Sequence, residues 1–279
     1  MVIVMKVIGI DPAPAKETVI YDGAKFITKD AVALKNYLED IKKSEDNVLI
    51  CWDAPLTGIA SVKAIEKFKE YLSNLEKKKK PKWSPLEARI IEKYIALQDI
   101  PKAISTNSFS QCPHWTITQY CLGLPQIFQP ETPQSNLPFN LISEQKLPSA
   151  SKNVVEVHPA LALWLWLNED SSITRWDYKD NKGTLKNLAE KLFTKLEKQP
   201  AITIKNDKIQ VTVFGKEKDM NDDHLDAYIA WLLGTLWLEN ENKNKVLLVG
   251  NKNTGAMLLP TDKKEEVSKK WQSKLEEYK

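Results

Sequence analysis

The chain has 279 residues, long enough for one large domain or one domain with a sizeable insertion around a substantial core. At 42% apolar and 28% charged it has the make-up of an ordinary soluble protein, and its formal net charge of +3 is too small to announce nucleic acid by itself. Cys51, Cys112 and Cys121 form an odd set without disulfide spacing, which points to a reducing, cytoplasmic setting, and Cys112, His114 and Cys121 lack the paired short spacings of a zinc site.

Residues 2–10 are dense in Val and Ile and suit a strand covered on both faces. Lys6 interrupts the run and Asp11-Pro12 follows it, so a strand is expected rather than a secretory signal. Segments 18–21 and 25–28 flank Asp22-Gly23, the short-range signal of a hairpin, so the chain should open as a three-stranded meander. Val32, Leu34, Leu38 and Ile41 recur near helical spacing over 30–43, and 47–52 reads as a fourth, buried strand ending at Asp53.

The texture then changes. Val62, Ile65, Phe68, Leu72 and Leu75 mark an amphipathic helix, and Ser84-Pro85-Leu86-Glu87 is a capping box that opens another, running to about Gln98. Residues 100–150 hold seven of the fifteen prolines, which suits an irregular lobe rather than core, apart from a short helix over 113–122 closed by Gly123. Segment 57–150 is therefore expected to be an inserted, substrate-facing lobe of a single domain covering 1–279. Within it Lys77, Lys78, Lys79, Lys80 and Lys82 stand beside Trp83, either a solvated helix end or a phosphate-tracking patch with one stacking ring.

A strand over 153–157 carries Glu156 and leads through His158 to Pro159, which is placed to start a helix ending at Leu167. Thr184 is expected to cap an amphipathic helix, and 202–204 and 209–213 alternate about Asn206-Asp207 as a hairpin. Asp222 opens a helix that is apolar nearly all round and hence buried, and 246–249 with 256–259 close the chain as two short strands. The apolar run 227–238 falls short of the roughly 20 residues a membrane span needs, so no membrane partner is expected.

Four acidic motifs stand out, Ile-Gly-Ile-Asp11, Cys-Trp-Asp53-Ala-Pro, Val-Glu156-Val-His158-Pro and Asp222-Asp223-His-Leu-Asp226. Three sit at or near the end of an apolar strand and the fourth opens an apolar helix, so their carboxylates can face one cleft. Carboxylates within a few ångström raise one another's pKa, and a cluster of them stays ionised only where cations neutralise it. Hard oxygen ligands suit Mg²⁺ or Mn²⁺, and two such ions roughly 3.5–4 Å apart clamp the attacking and leaving oxygens of a phosphoryl displacement. Asp223 and Asp226, three apart on one helical face, are taken as the helix's ligands, with Asp222 as its cap and His224 exposed. Glu156 is open to a salt bridge with a lysine instead.

A meander, a helix, a fourth strand and later a fifth strand and an acid-bearing helix resemble the RNase H-like fold, an α/β architecture with a mixed five-stranded sheet in the order 3-2-1-4-5. Ile-Gly-Ile-Asp11, Asp53-Ala-Pro-Leu56, Glu156-Val-His-Pro159 and Asp222-Asp-His-Leu-Asp226-Ala are similar to motifs of the predicted RNase H-like nucleases catalogued as domain of unknown function 429. The resemblance implies a two-metal nuclease acting on nucleic acid, with Asp11, Asp53, Glu156, Asp223 and Asp226 as metal ligands and Asp11 bridging both ions. His158 would move a proton to the leaving group or hydrogen-bond the turn. Two alternatives stay open: an actin-like or sugar-kinase ATPase, and a non-catalytic nucleic-acid-binding protein of the same fold.

Overall fold

The structure is a computed structural model that describes residues 5–58, 89–98, 100–104, 112–123, 139–148, 150–196, 200, 202–205, 208–239, 245–261 and 266–277. The chain opens with β1 (Lys6–Asp11), β2 (Thr18–Tyr21) and β3 (Phe26–Lys29), paired antiparallel in turn. The Asp22 carboxylate accepts from the backbone N–H of Ala24 and Lys25, and Gly23 supplies the positive φ that the turn requires. Helix α1 (Ala31–Lys43) is capped by Asp30 and buries Leu34, Leu38 and Ile41. It returns the chain to β4 (Val48–Trp52), which lies parallel to β1.

There follow α2 (Ile90–Ala96), α3 (Cys112–Leu122), β5 (Asn140–Leu141), β6 (Lys152–Glu156), α4 (Pro159–Leu167) and α5 (Lys182–Leu196). Next come β7 (Ile202–Lys205), β8 (Lys208–Val213), β9 (Lys216–Asp219), α6 (Asp222–Leu238), β10 (Val246–Asn251), β11 (Gly255–Pro260) and α7 (Glu266–Glu276). The main sheet runs β5-β6-β4-β1-β2-β3-β8-β7, with β9 also beside β8, while β10 and β11 form a separate hairpin. β8 joins β3 through a single pair, Phe26 with Val213. The expected mixed α/β architecture is thus borne out.

Side chains alternate across the sheet. Val7, Leu49, Cys51, Val155 and Val157 lie in the core with α4, α5 and α6, whereas Ile8, Ile10, Ile50, Trp52 and Val154 lie in the core with α1 and α3. Helix α6 is the central element of the first layer. A Cβ on Gly9 would fall 2.1 Å from the Ala227 carbonyl oxygen and 2.3 Å from the Trp231 nitrogen, so the backbones of β1 and α6 touch there. Farther along, a Cβ on Gly234 would fall 2.3 Å from the Cys51 sulfur and 2.8 Å from Val7 Cγ1.

Several expectations shift. The α5 cap is Asn181, whose side-chain oxygen accepts from the Thr184 N–H, so Thr184 itself lies inside the helix. β9 has four exposed residues and no apolar alternation, which is why it carries no strand signal. The described parts of 100–150 contribute to the core: Trp115 and Ile117 of α3 are buried against the α1 layer, and the Trp52 indole N–H donates to the Thr118 hydroxyl at 2.9 Å. The helix expected over 62–75 and the capping box at 84–87 lie outside the described residues. No helix among the described residues is long and apolar enough to cross a membrane.

Because backbone stands where a methyl group would have to go, Gly9→Ala should cost about 3 kcal/mol, the upper end of ordinary overpacking penalties. A urea midpoint equal to that of the wild type would show that α6 does not sit on β1 in this way.

Candidate functional site

The register of the parallel strands brings the strand-end acids to one edge of the sheet. Ile10 pairs with Trp52 and Trp52 with Glu156. The Asp53 N–H donates to the Ile10 carbonyl and the Val157 N–H to that of Trp52, each at 3.0 Å, so Asp11, Asp53 and Val157 stand one step farther on. Alternation then separates the acids. Asp11 and Asp53 take the parity of Gly9, Cys51 and Val157 and face α6, whereas Glu156 takes the parity of Ile10, Trp52 and Val154 and faces the α3 layer.

Contact at Gly9 and Ala227 sets the first turn of α6 over the end of β1. Its cap is Asn221, which accepts from the His224 N–H at 3.1 Å, so Asp222 is the first helical residue rather than the cap. Asp223 and Asp226, both buried, are carried toward the strand ends. Burial holds the Asp11 carboxyl well above the usual range, and Asp226, Asp53 and Asp223 each push it further. Asp53 is raised likewise, by burial first and then by Asp226, with Glu156 and Asp223 adding to it. Four of the expected ligands therefore form one electrostatic group.

Two lysines enter that group. The Lys179 ammonium lies 2.9 Å from Asp226 Oδ2, and the Tyr178 hydroxyl donates to Asp226 Oδ1 at 2.6 Å. The Lys16 ammonium lies 2.5 Å from Asp223 Oδ1, while the Asn221 amide donates to Asp223 Oδ2 at 3.3 Å. About half of the Lys179 side chain is exposed, yet its ammonium end is desolvated; that works against the charge, but Asp226, Tyr178, Asp53 and Asp11 outweigh it and hold the ammonium well above the ordinary lysine range. No side-chain hydrogen bond or ion pair reaches the carboxylates of Asp11 and Asp53 among the described residues. Tyr178, Lys179 and Lys16 sit in turns and loops, and nothing periodic in their neighbourhood betrays them.

Glu156 has a different partner. Arg89 binds it through both terminal nitrogens, at 2.6 and 2.8 Å, and the Leu56 N–H donates to Oε2 at 2.7 Å. Arg89 also donates through Nε to Glu92 at 2.9 Å and through Nη1 to the Thr57 carbonyl at 2.6 Å, and its guanidinium stacks 5.7 Å from the Trp115 ring. Burial opposes the charge on Arg89, yet Glu156 and Glu92 more than compensate. This buried network ties the turn after Asp53 to the start of α2. The salt-bridge expectation for Glu156 is met by an arginine rather than a lysine, since a planar guanidinium serves a buried carboxylate through two bonds at once.

His158 caps α4, its Nδ1 accepting from the Leu161 N–H at 3.5 Å. Burial lowers its pKa to about 3, with Lys179 and Arg89 adding to the effect, so the ring is a neutral imidazole at pH 7. His224 is buried edge-on against Phe26 at 5.2 Å, not exposed as expected, because β3 lies under that side of α6. Lys77, Lys78, Lys79, Lys80, Lys82 and Trp83 lie outside the described residues. Among the described residues no three Asp, Glu, His or Cys side chains surround a common point as a preformed metal cage. The donor chemistry nevertheless suits a hard divalent cation, since among the described residues four carboxylates face two ammonium groups and two of the four have no side-chain partner.

Two outcomes follow from these contacts. Arg89→Ala leaves Glu156 and Glu92 buried without their cation and should cost about 3–5 kcal/mol in chemical denaturation; a loss below 1 kcal/mol would contradict the buried pairing. Asp11 and Asp53 have folded pKa values above their unfolded ones, so the native state keeps protons that the unfolded chain releases. Their contribution to metal-free stability is full below about pH 4 and is lost as pH rises through the raised folded values. Asp11→Asn should flatten that decline, and an unchanged slope between pH 4 and 9 would remove the repulsion.

Neither a comparison with curated proteins nor one with solved structures returned a match. Over residues 140–247, which carry Glu156, Asp223 and Asp226, the chain matches the family model described as Protein of unknown function (DUF429), and the resemblance to that domain of unknown function is borne out there.

Proposed function

We propose that the protein is a metal-dependent nuclease that hydrolyses phosphodiester bonds of nucleic acid, with Mg²⁺ or Mn²⁺ held by Asp11, Asp53, Asp223 and Asp226. The observation that carries this reading is the pair Asp11 and Asp53, set on neighbouring parallel strand ends, both raised by burial and then by Asp226, and grouped with Asp223 and Asp226 so that four carboxylates face two ammonium groups among the described residues. Cations of higher charge resolve such repulsion. An RNase H-like arrangement is supported by the run β3-β2-β1-β4-β6, antiparallel across the first three and parallel across the last three. That is the order 3-2-1-4-5 if β6 is counted fifth, with β5 and β7 to β9 as additions.

A divalent ion bound here supplies Lewis acidity and a water of lowered pKa. The protein's own part is to hold and orient. Tyr178 fixes Asp226 through Oδ1 and leaves Oδ2 for a cation. Glu156 serves as a positioning residue, because Arg89 and the Leu56 N–H occupy its oxygens and thereby pin the turn that follows Asp53. His158, neutral and capping α4, steadies the helix that packs behind the site. The basic run from Lys77 to Lys80 with Lys82 and Trp83 would contact backbone and base, which makes binding weaken with salt.

A second reading, a non-catalytic protein of the same fold, is favoured by the two lysine contacts, which neutralise part of the cluster without any metal. Cleavage of labelled DNA and RNA, single- and double-stranded, separates the two. Wild type should cut at least one substrate with Mg²⁺ or Mn²⁺. Asp11→Asn and Asp53→Asn should lose more than the roughly 10–100-fold that an outer-shell change costs, while melting at or above the wild-type temperature without metal. Retained cleavage in both variants would reject the assignment, and binding without cleavage by the wild type would favour the second reading.

A further inference from the structure

The geometry points to Lys16 and Lys179 as removable counter-ions of the acidic site, each ammonium holding one aspartate when no divalent cation is bound and leaving when one enters. The inference rests on the metal-site reading above and adds to it the route by which the site is filled.

The two kinds of cation at this end of the sheet are built differently. Arg89 is 1% exposed in its side chain and is held by Glu156, Glu92 and the Thr57 carbonyl, so it is a permanent part of the core. Lys16 and Lys179 have 59% and 51% of their side chains exposed. Lys16 lies in the loop between β1 and β2, and Lys179 in the turn before α5. Each ammonium touches one carboxylate oxygen, Asp223 Oδ1 or Asp226 Oδ2, through a flexible stem that regains rotamer freedom on release.

The oxygens concerned are the ones a metal would need. Tyr178 donates to Asp226 Oδ1 and Asn221 to Asp223 Oδ2, so the oxygens left to a cation on α6 are those the lysines hold. A divalent ion and an ammonium cannot share one oxygen at contact distance without strong repulsion. The dication gains more from Asp11, Asp53, Asp223 and Asp226 together than the lysine gains from one of them. The ammonium is therefore the group that yields.

Titration of the intact chain with Mn²⁺, followed by the paramagnetic signal of the free ion and by calorimetry, tests this. Lys179→Met and Lys16→Met should each bind Mn²⁺ at least about tenfold tighter than the wild type, because a competing charge is gone. Lys179→Arg should stay near the wild type, as should Lys208→Met, whose partner Asp219 lies on the far strand β9. Equal affinity in all the proteins would overturn the inference and leave the metal site standing, as would weaker binding in both methionine variants. Absence of Mn²⁺ binding in every protein would overturn the metal reading and this one with it. Thermal melts confirm folding, and if Lys179→Met fails to fold, Lys16→Met decides.

Discussion

At Gly9 the backbone of β1 touches the backbone of α6, and the placement of Asp223 and Asp226 over the strand ends follows from that contact. With no Cβ in the way, α6 descends until Ala227 and Trp231 rest on the strand, and its first turn then overhangs Asp11. A larger residue at position 9 would lift the helix and carry Asp223 and Asp226 away from the strand ends. The apolar surround of α6 supplies the attraction that drives the approach, since Tyr228, Ile229, Leu232 and Leu233 are buried from one end of the contact to the other. Packing thus works against electrostatics at one place in the molecule, and the raised carboxyls of Asp11 and Asp53 register the conflict.

The protein answers negative charge in two ways on the two faces of one sheet. On the α3 face Glu156 meets a guanidinium that is fully enclosed, and the pair knits the turn after Asp53 to α2. On the α6 face the counter-charges arrive on long stems from the surface and meet one oxygen each. A buried pair of the first kind holds shape, since breaking it leaves a stranded charge. A contact of the second kind can open where an incoming cation takes over the carboxylate and water takes over the ammonium. An enclosed guanidinium suits a scaffold, and a retractable ammonium suits a site that has to accept something.

Much of this was legible in the residues. The meander, α1, β4, β6, α4, α6 and the closing hairpin follow from apolar period and turn chemistry, and apart from β1, which starts at Lys6 rather than at residue 2, they emerge within a residue or two of where those signals put them. The parity that parts Glu156 from Asp11 and Asp53 was also present, since Glu156 alternates with Val155 and Val157 while Asp53 follows Cys51 by two. It becomes decisive only once the strands are in register. Asn181 and not Thr184 caps α5, because two polar residues three apart offer the same local signal and the surrounding chain selects between them. His224 is buried because β3 lies beneath it, a neighbour some two hundred residues away in the polymer.

The sequence by itself determined most of the elements and the acids they carry, because helix and strand periods and the ends of apolar runs are local properties of the chain, whereas the all-polar β9 has no such signal. Tertiary structure alone decided the partners. Lys16 meets Asp223, Lys179 and Tyr178 meet Asp226, and Arg89 meets Glu156 across gaps of 207, 47, 48 and 67 residues. A lysine in a loop has the same local pattern whether it reaches into water or into a cluster of carboxylates. The difference is a matter of which backbones pack against each other and how closely, and only the folded chain brings those distant charges within a few ångström.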